Sequence, residues 1–387
     1  MHIRNLIFLL LSATVGFVAC KDDDNPVIPV LPTDAETIAK NLTISLEEIP
    51  NYANPSLPNF IDQNILAQDN APSINPVTDK GAQLGRVLFY DKNLSRNGKT
   101  ACASCHQQVK GFSDDAVKSL GFEGALTGQH SMRLANANFY TGENMFWNKR
   151  ARDLEEQATM PIKDMGEMGF DAAHGGIDSL IRKMNKLEYY PILFEQAFGS
   201  EAISETKIQQ ALAQFIRSMI SADSKFDRGF AQVFAPGTPG GGVQQPFPNF
   251  SAQENTGKNI FLLPPPQGGA GCAGCHTPPT FALAANSLSN GLDAGETIIF
   301  KSPSLKNIGI GGPYMHDGRF ATLEQVVEHY NSGIQNGPAL DNRLRTPNGQ
   351  PLRLNLSADQ KAALVAFLKT LDDQTIANDP KFATPFK

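Results

Sequence analysis

Two five-residue stretches constrain this chain more than anything else in it: Cys102-Ala103-Ser104-Cys105-His106 and Cys272-Ala273-Gly274-Cys275-His276. In each, two thiols are spaced to add across the two vinyl groups of a haem, and the next residue offers an imidazole to the iron on the proximal side. CxxC alone also marks zinc sites and thioredoxin-like redox pairs. A zinc site made from all four cysteines would leave both trailing histidines without a task, and neither stretch opens a helix after a strand as a thioredoxin motif does. The pattern predicts two covalently bound c-type haems, held by Cys102, Cys105 and His106 and by Cys272, Cys275 and His276.

The rest of the cysteine usage agrees. Of five cysteines, four lie in these motifs and the fifth is Cys20, so no pair remains for a structural disulfide. Cys20 follows a basic start, Met1-His2-Ile3-Arg4, and an apolar run from Leu6 to Ala19 that is short for a membrane span. Residues 1-19 therefore read as a signal peptide. Phe17-Val18-Ala19-Cys20 resembles a bacterial lipobox, in which Cys20 becomes the lipidated first residue; the other reading is a cysteine at the end of an ordinary cleaved signal. Either way the expectation is an exported protein, and the lipobox adds a lipid anchor to a membrane on its periplasmic face.

At 387 residues, with 41% of them apolar, the chain is long enough for two ordinary domains. A net charge of -6 argues against nucleic acid as a partner. Residues 20-78 read as a solvated tether followed by an extended arm rich in Pro and Asn. Leu84, Val87 and Leu88 then share a helix face before the first motif. Ile208, Leu212, Phe215, Ile216 and Met219 form one apolar stripe on a helix expected over residues 205-220. Residues 236-250, Gly- and Pro-rich, are the expected linker between a first domain, 79-235, and a second, 251-387.

Capping boxes at Ser251 with Glu254, Thr322 with Gln325 and Ser357 with Gln360 predict further helix starts. No strand alternation stands out. The expectation is an all-α protein of two cytochrome c-like domains, an internal duplication with one haem each, whose C-terminal helix packs back across the first domain.

Several other stretches carry a resemblance: Trp147-Asn148-Lys149-Arg150-Ala151, Leu154-Glu155-Glu156-Gln157-Ala158, Pro161 through Gly169, Pro303-Ser304-Leu305-Lys306-Asn307 and Pro313-Tyr314-Met315-His316-Asp317-Gly318. Their order and spacing resemble the bacterial dihaem cytochrome c peroxidase family, which includes the MauG branch, from about Leu84 to Leu371. The resemblance implies a peroxidatic first haem and an electron-transferring second one, with hydrogen peroxide as substrate and a cytochrome or other small redox protein as donor. It also makes a homodimer an expectation, since members often pair. A MauG-like oxidase of a protein or small organic molecule, or a pure electron-transfer cytochrome, are the alternatives.

By the same resemblance the distal acid falls on Glu167 and the accompanying glutamine on Gln157. A carboxylate over a haem can take a proton from one peroxide oxygen and return it to the other, and an amide beside it can hold peroxide by hydrogen bonds. Trp147, the only tryptophan, matches the aromatic between the two haems. Where many members carry a loop histidine that closes the first haem, this chain has Phe122, which cannot ligate iron, so that haem is expected to be open at rest. His130, on the same loop, could in principle replace that ligand. His130 also stands where the family has an asparagine contacting a calcium ion, whose other contacts, carbonyls, fall on Gly311 and Pro313; a histidine is a poor calcium ligand. The sixth ligand of the second haem falls, by position after His316, on Tyr330, with Met315 as its rival. A thioether would raise that haem's potential and a phenolate lower it.

Overall fold

The computed structural model describes residues 32–387, so the expected signal segment and Cys20 lie outside the described residues. The helices are α1 (Asp34–Ala39), α2 (Gln63–Leu66), α3 (Asp79–Tyr90), α4 (Cys102–Cys105), α5 (Leu154–Thr159), α6 (Gly176–Met184), α7 (Tyr189–Phe198), α8 (Glu205–Arg217), α9 (Lys225–Val233), α10 (Ala252–Leu262), α11 (Leu323–Glu328), α12 (Ala358–Lys369) and α13 (Gln374–Asn378). The expectation of no strands meets one small exception: β1 (His276–Thr277) pairs antiparallel with β2 (Ala282–Leu283), directly after the second motif.

The helix starts follow the sequence. Ser251, Thr322 and Ser357 each accept the backbone N–H three residues on, while Glu254, Gln325 and Gln360 reach back to the cap, forming the three capping boxes that open α10, α11 and α12. Thr78 caps α3 and Ser204 caps α8 by the side-chain oxygen alone, each accepting the N–H three residues on. The apolar stripe of α8 is buried at Ile208, Leu212, Phe215 and Ile216, although the helix stops at Arg217, earlier than its periodicity suggests.

Two helix crossings repeat one piece of geometry. On α3, a Cβ at Gly85 would lie 2.0 Å from the Ala211 carbonyl oxygen of α8, with the Phe215 Cβ 2.7 Å away. On α10, a Cβ at Gly257 would lie 1.9 Å from the Ala363 oxygen of α12, with the Phe367 Cβ 2.9 Å away. Both crossings need glycine because backbone meets backbone there. Each glycine helix precedes a CxxCH motif, so the helix pair that supports each motif is built alike.

These pairs anchor two apolar clusters. The first gathers α3, α5, α7 and α8 around Phe89, Phe194 and Phe215. The second gathers α9, α10, α11 and α12 around Phe226, Phe261, Phe281 and Phe367. Val243, Phe247 and Phe250 of the Gly/Pro-rich stretch are buried in the second cluster against Phe226 and Phe230 of α9.

The arm also belongs to the folded body. Ile38, Leu42 and Tyr52 are buried in the first cluster, Phe60 and Ile61 in the second. At the other end α12 stays with α10, and it is the chain after α12 that returns to the first cluster. Arg86 of α3 donates to the carbonyls of Ala383 at 2.7 Å and Pro380 at 2.9 Å, Tyr90 donates to that of Phe382 at 2.6 Å, and Phe386 bridges to Leu42.

Candidate functional site: two CxxCH centres

The first motif is a single helical turn, α4, with His106 at its C-terminal end. His106 Nδ1 lies 3.0 Å from the Phe112 carbonyl oxygen and 3.2 Å from Ser131 Oγ. A ring nitrogen that donates to a carbonyl carries the proton, which leaves the Nε2 lone pair for a metal. Burial pushes the Cys102 thiol up to about 12 and the Cys105 thiol to about 11. Redox-active CxxC pairs work through lowered thiol values, so this pair is unsuited to thiolate chemistry. All four motif cysteines are free of disulfides.

Glu167 sits on a loop shaped by Asp164, whose carboxylate accepts the N–H of Gly166 at 2.8 Å and of Glu167 at 3.1 Å. The loop carrying Phe122 is pressed against it. Phe122 N–H donates to the Gly166 oxygen at 2.9 Å, and a Cβ at Gly121 would fall 2.1 Å from that oxygen. Gly169, at φ +83°, is the second requirement: a side chain there would meet the Phe122 ring at 2.8 Å. Phe122 is thus buried, wedged behind the Glu167 loop. Glu167 itself is half-buried, and burial raises its carboxyl above the usual value, with Asp164 adding to the rise and Arg150 opposing it. Its charge is felt at both Cys102 and Cys105.

Gln157 lines a small cavity of about 20 Å³ with Tyr140, Met132 and Lys301, a lining that does not include Glu167. Lys301 is buried without a carboxylate partner among the described residues, its ammonium 4.6 Å from the centre of the Tyr140 ring.

The second motif opens on a cavity of about 480 Å³ whose walls include Cys272, Cys275, His276, Trp147, Met315 and Tyr330. Its donor set suits a haem: two free thiols and an imidazole that burial lowers to about 4, hence neutral and able to bind iron. His276 Nδ1 is buried with no hydrogen-bond partner among the described residues, and the β1–β2 pairing of His276 with Leu283 fixes its backbone.

The two rival ligands of the second centre converge on one amide. Asn290 Nδ2 lies 3.4 Å from Met315 Sδ and 3.4 Å from Tyr330 Oη. Tyr330 leaves the regular helix: α11 ends at Glu328, and a wider π turn over His329–Gly333 carries the phenol into the cavity. Burial raises the phenol above its usual value, and the Asn290 hydrogen bond opposes this. Met315 reaches the same amide from a left-handed backbone, φ +72°.

Between the centres lie Trp147 and His130. The indole donates to the His130 carbonyl at 2.8 Å, and the Trp147 and His316 rings meet edge to face at 6.4 Å. Both nitrogens of the His130 ring are engaged, Nδ1 3.0 Å from the Ala116 oxygen and Nε2 3.3 Å from Ser113 Oγ. Gly311, offered as a calcium contact, has its carbonyl occupied by the guanidinium of Arg133; Pro313 lines the large cavity. Asn290 and Arg133 were not anticipated. Arg133 carried a signal, a charge set between Met132 and Leu134, whereas Asn290 lies in a polar run with none.

Comparison with known proteins matches this arrangement. The family model for di-haem cytochrome c peroxidase covers residues 79–233. The methylamine utilization protein MauG of Methylophilus methylotrophus is 33% identical over 315 residues, 78% of this chain and 85% of that one. The cytochrome c551 peroxidase of Nitrosomonas europaea is 28% identical over 370 residues, 90% of this chain and 95% of that one. A crystal structure of a MauG-like protein associated with microbial copper homeostasis superposes with a TM-score of 0.67 at 30% identity, across 86% of this chain and 99% of that one. With two CxxCH centres, the matching helix scaffold and these relatives, the chain belongs to the dihaem cytochrome c peroxidase and MauG family of oxidoreductases.

Proposed function

We propose that this chain is a dihaem peroxidase that reduces hydrogen peroxide to water at the first centre, with electrons drawn from a donor cytochrome through the second. Haem, when bound, supplies the iron that exchanges electrons with peroxide. The chain's own residues do the rest. Glu167 takes a proton from the near oxygen of peroxide and delivers it to the departing one. Its raised carboxyl suits this exchange, because an acid and base used in one cycle works best near the operating pH. Gln157 is assigned the hydrogen bonds to peroxide on the family resemblance, although in this structure it lines a separate small cavity that does not include Glu167. Trp147, tethered between the centres, provides the aromatic path for electrons. Residues 79-235 and 251-387 act as the two haem-bearing units, and the leader with Cys20 carries the chain across a membrane and anchors it there by lipid.

The observation that carries this reading is the half-buried carboxyl of Glu167, held against the Phe122 loop with its charge felt at both first-motif thiols. Steady-state consumption of peroxide with reduced cytochrome c tests it. Glu167→Gln should lower kcat by about 10²-fold or more with haem content intact; unchanged turnover would remove Glu167 from the mechanism.

A second reading, oxidation of a partner protein or small organic molecule, is favoured by the place of Tyr330 in the second cavity, since a phenolate-ligated haem holds a low potential and is ill suited to collect electrons. Rapid peroxide turnover with reduced cytochrome c would count against it.

A further inference from the structure

A buried guanidinium with no carboxylate in ion-pair contact is costly to keep, and among the described residues Arg133 is one, the carboxylate whose charge it feels being Asp372. Arg133 is 6% exposed, and among the described residues no carboxylate forms an ion pair with it. Its guanidinium donates to the Gly311 oxygen and lies 5.7 Å from the centre of the Tyr314 ring, while its Nε is buried with no partner among the described residues. Arg133 borders both the large cavity of the second motif and the small cavity that holds Gln157. Two residues before it, Ser131 Oγ donates to the Cys105 oxygen and lies 3.2 Å from His106 Nδ1, so Arg133 stands on the strip of chain that runs from the first motif to the wall of the second motif's cavity.

The family resemblance puts a calcium ion in this region, on position 130 and on the carbonyls of Gly311 and Pro313. The residues present do not fit one. Calcium needs about six to eight oxygen ligands, yet position 130 offers an imidazole whose two nitrogens are both engaged. The Gly311 carbonyl already faces a cation. Asp372 also holds this loop, accepting the Gly309 N–H at 2.7 Å, and its charge and that of Arg133 are felt by one another.

We propose that the Arg133 guanidinium is the fixed cation between the two haem centres, standing in for the calcium ion, so that this chain couples its haems without calcium. A guanidinium on the chain cannot be removed by a chelator and does not depend on ion supply. Its unpartnered Nε is also a donor for an acidic group, and the carboxylates that a haem carries have the matching charge.

The proposal rests on the dihaem reading, which haem quantification of the purified holoprotein checks separately. With two haems per chain established, calcium content after gel filtration tests Arg133. The expected result is far less than one calcium per chain, with haem spectra that neither EGTA nor added calcium alters. A stoichiometric calcium, or an EGTA-induced change reversed by calcium, would overturn the proposal. In the variants, Arg133→Gln should slow electron equilibration between the haems severalfold and Arg133→Lys should retain most of the rate. Equal rates in the two variants would sink it, whatever peroxide turnover does.

Discussion

Trp147 donates its indole N–H to the main-chain oxygen of His130 at 2.8 Å, and the N–H of His130 in turn donates to the His316 oxygen at 2.9 Å. The one tryptophan is thus pinned to the strip of backbone that joins the two centres, with its ring edge-on to the His316 imidazole. Trp147→Phe keeps an aromatic ring but loses the tether, a change of about 0.5–1.5 kcal/mol in stability. The expected consequence is kinetic. After mixing with peroxide, oxidation of a pre-reduced second haem should slow markedly in stopped-flow absorbance, while haem content stays the same. An unaltered rate would take Trp147 out of the electron path.

Asn290 offers one amide to two ligand candidates, each 3.4 Å away. The iron must therefore make the choice. Tyr330→Phe should change the second haem's spectrum and leave the first haem's intact, Met315→Leu should leave both, and Asn290→Ala should shift the second by removing the donor to the phenol oxygen. If Met315→Leu changes the second haem and Tyr330→Phe does not, the thioether is the ligand and the electron-collecting role gains.

Glu167 sets a pH dependence whose sign is fixed by its neighbours. Its carboxyl is raised first by burial and then by Asp164, so the base form is lost as pH falls through a value above the usual carboxylate range. The acid limb of kcat/KM should accordingly lie above 4.5, the ordinary value for a glutamate. Asp164→Asn removes the repelling charge yet keeps an oxygen to accept the Gly166 and Glu167 N–H groups, and should move the limb to lower pH. Arg150→Ala removes the opposing cation and should move it higher. A limb that both variants leave in place belongs to another group.

What the sequence made legible follows from local physics. The CxxCH motifs, the three capping boxes and the stripe of α8 are rules of spacing within a few residues; the capping boxes form as spelled, and α8 carries its stripe as far as Ile216 before it stops at Arg217, short of Met219. The Gly85–Ala211 and Gly257–Ala363 crossings were not legible, because a glycine's close partner lies more than a hundred residues away in each case. The burial of Phe247 was hidden in a stretch whose glycines and prolines suppress any period. Tyr330 lies just past the helix that the Thr322 capping box opens, and the π turn that aims it into the cavity leaves no pattern in the residues before it. Arg133 was visible as a charge among apolar neighbours, and only its contact with Gly311 gives that charge a use.

The motif Pro303–Asn307 supplies a further test, of the scaffold rather than the chemistry. Lys306 reaches both carboxylate oxygens of Asp227 on α9, with side chains 1% and 2% exposed. Asp227 also accepts the Ser224 N–H at 2.8 Å and Oγ at 2.7 Å, so one carboxylate closes the α9 capping box and neutralises a buried ammonium. Removing one partner strands the other charge: Asp227→Ala should destabilise the holoprotein by about 3–5 kcal/mol in denaturant unfolding. Replacing both, Asp227→Leu with Lys306→Met, removes the stranded charge and should recover much of that loss, less the cost of the lost helix cap at about 1 kcal/mol. If the double variant is as unstable as Asp227→Ala, the pair serves α9 through the cap alone and Lys306 is buried for another reason. If both lie near the parent, the ion pair contributes nothing to holding α9 against the motif beside the second centre.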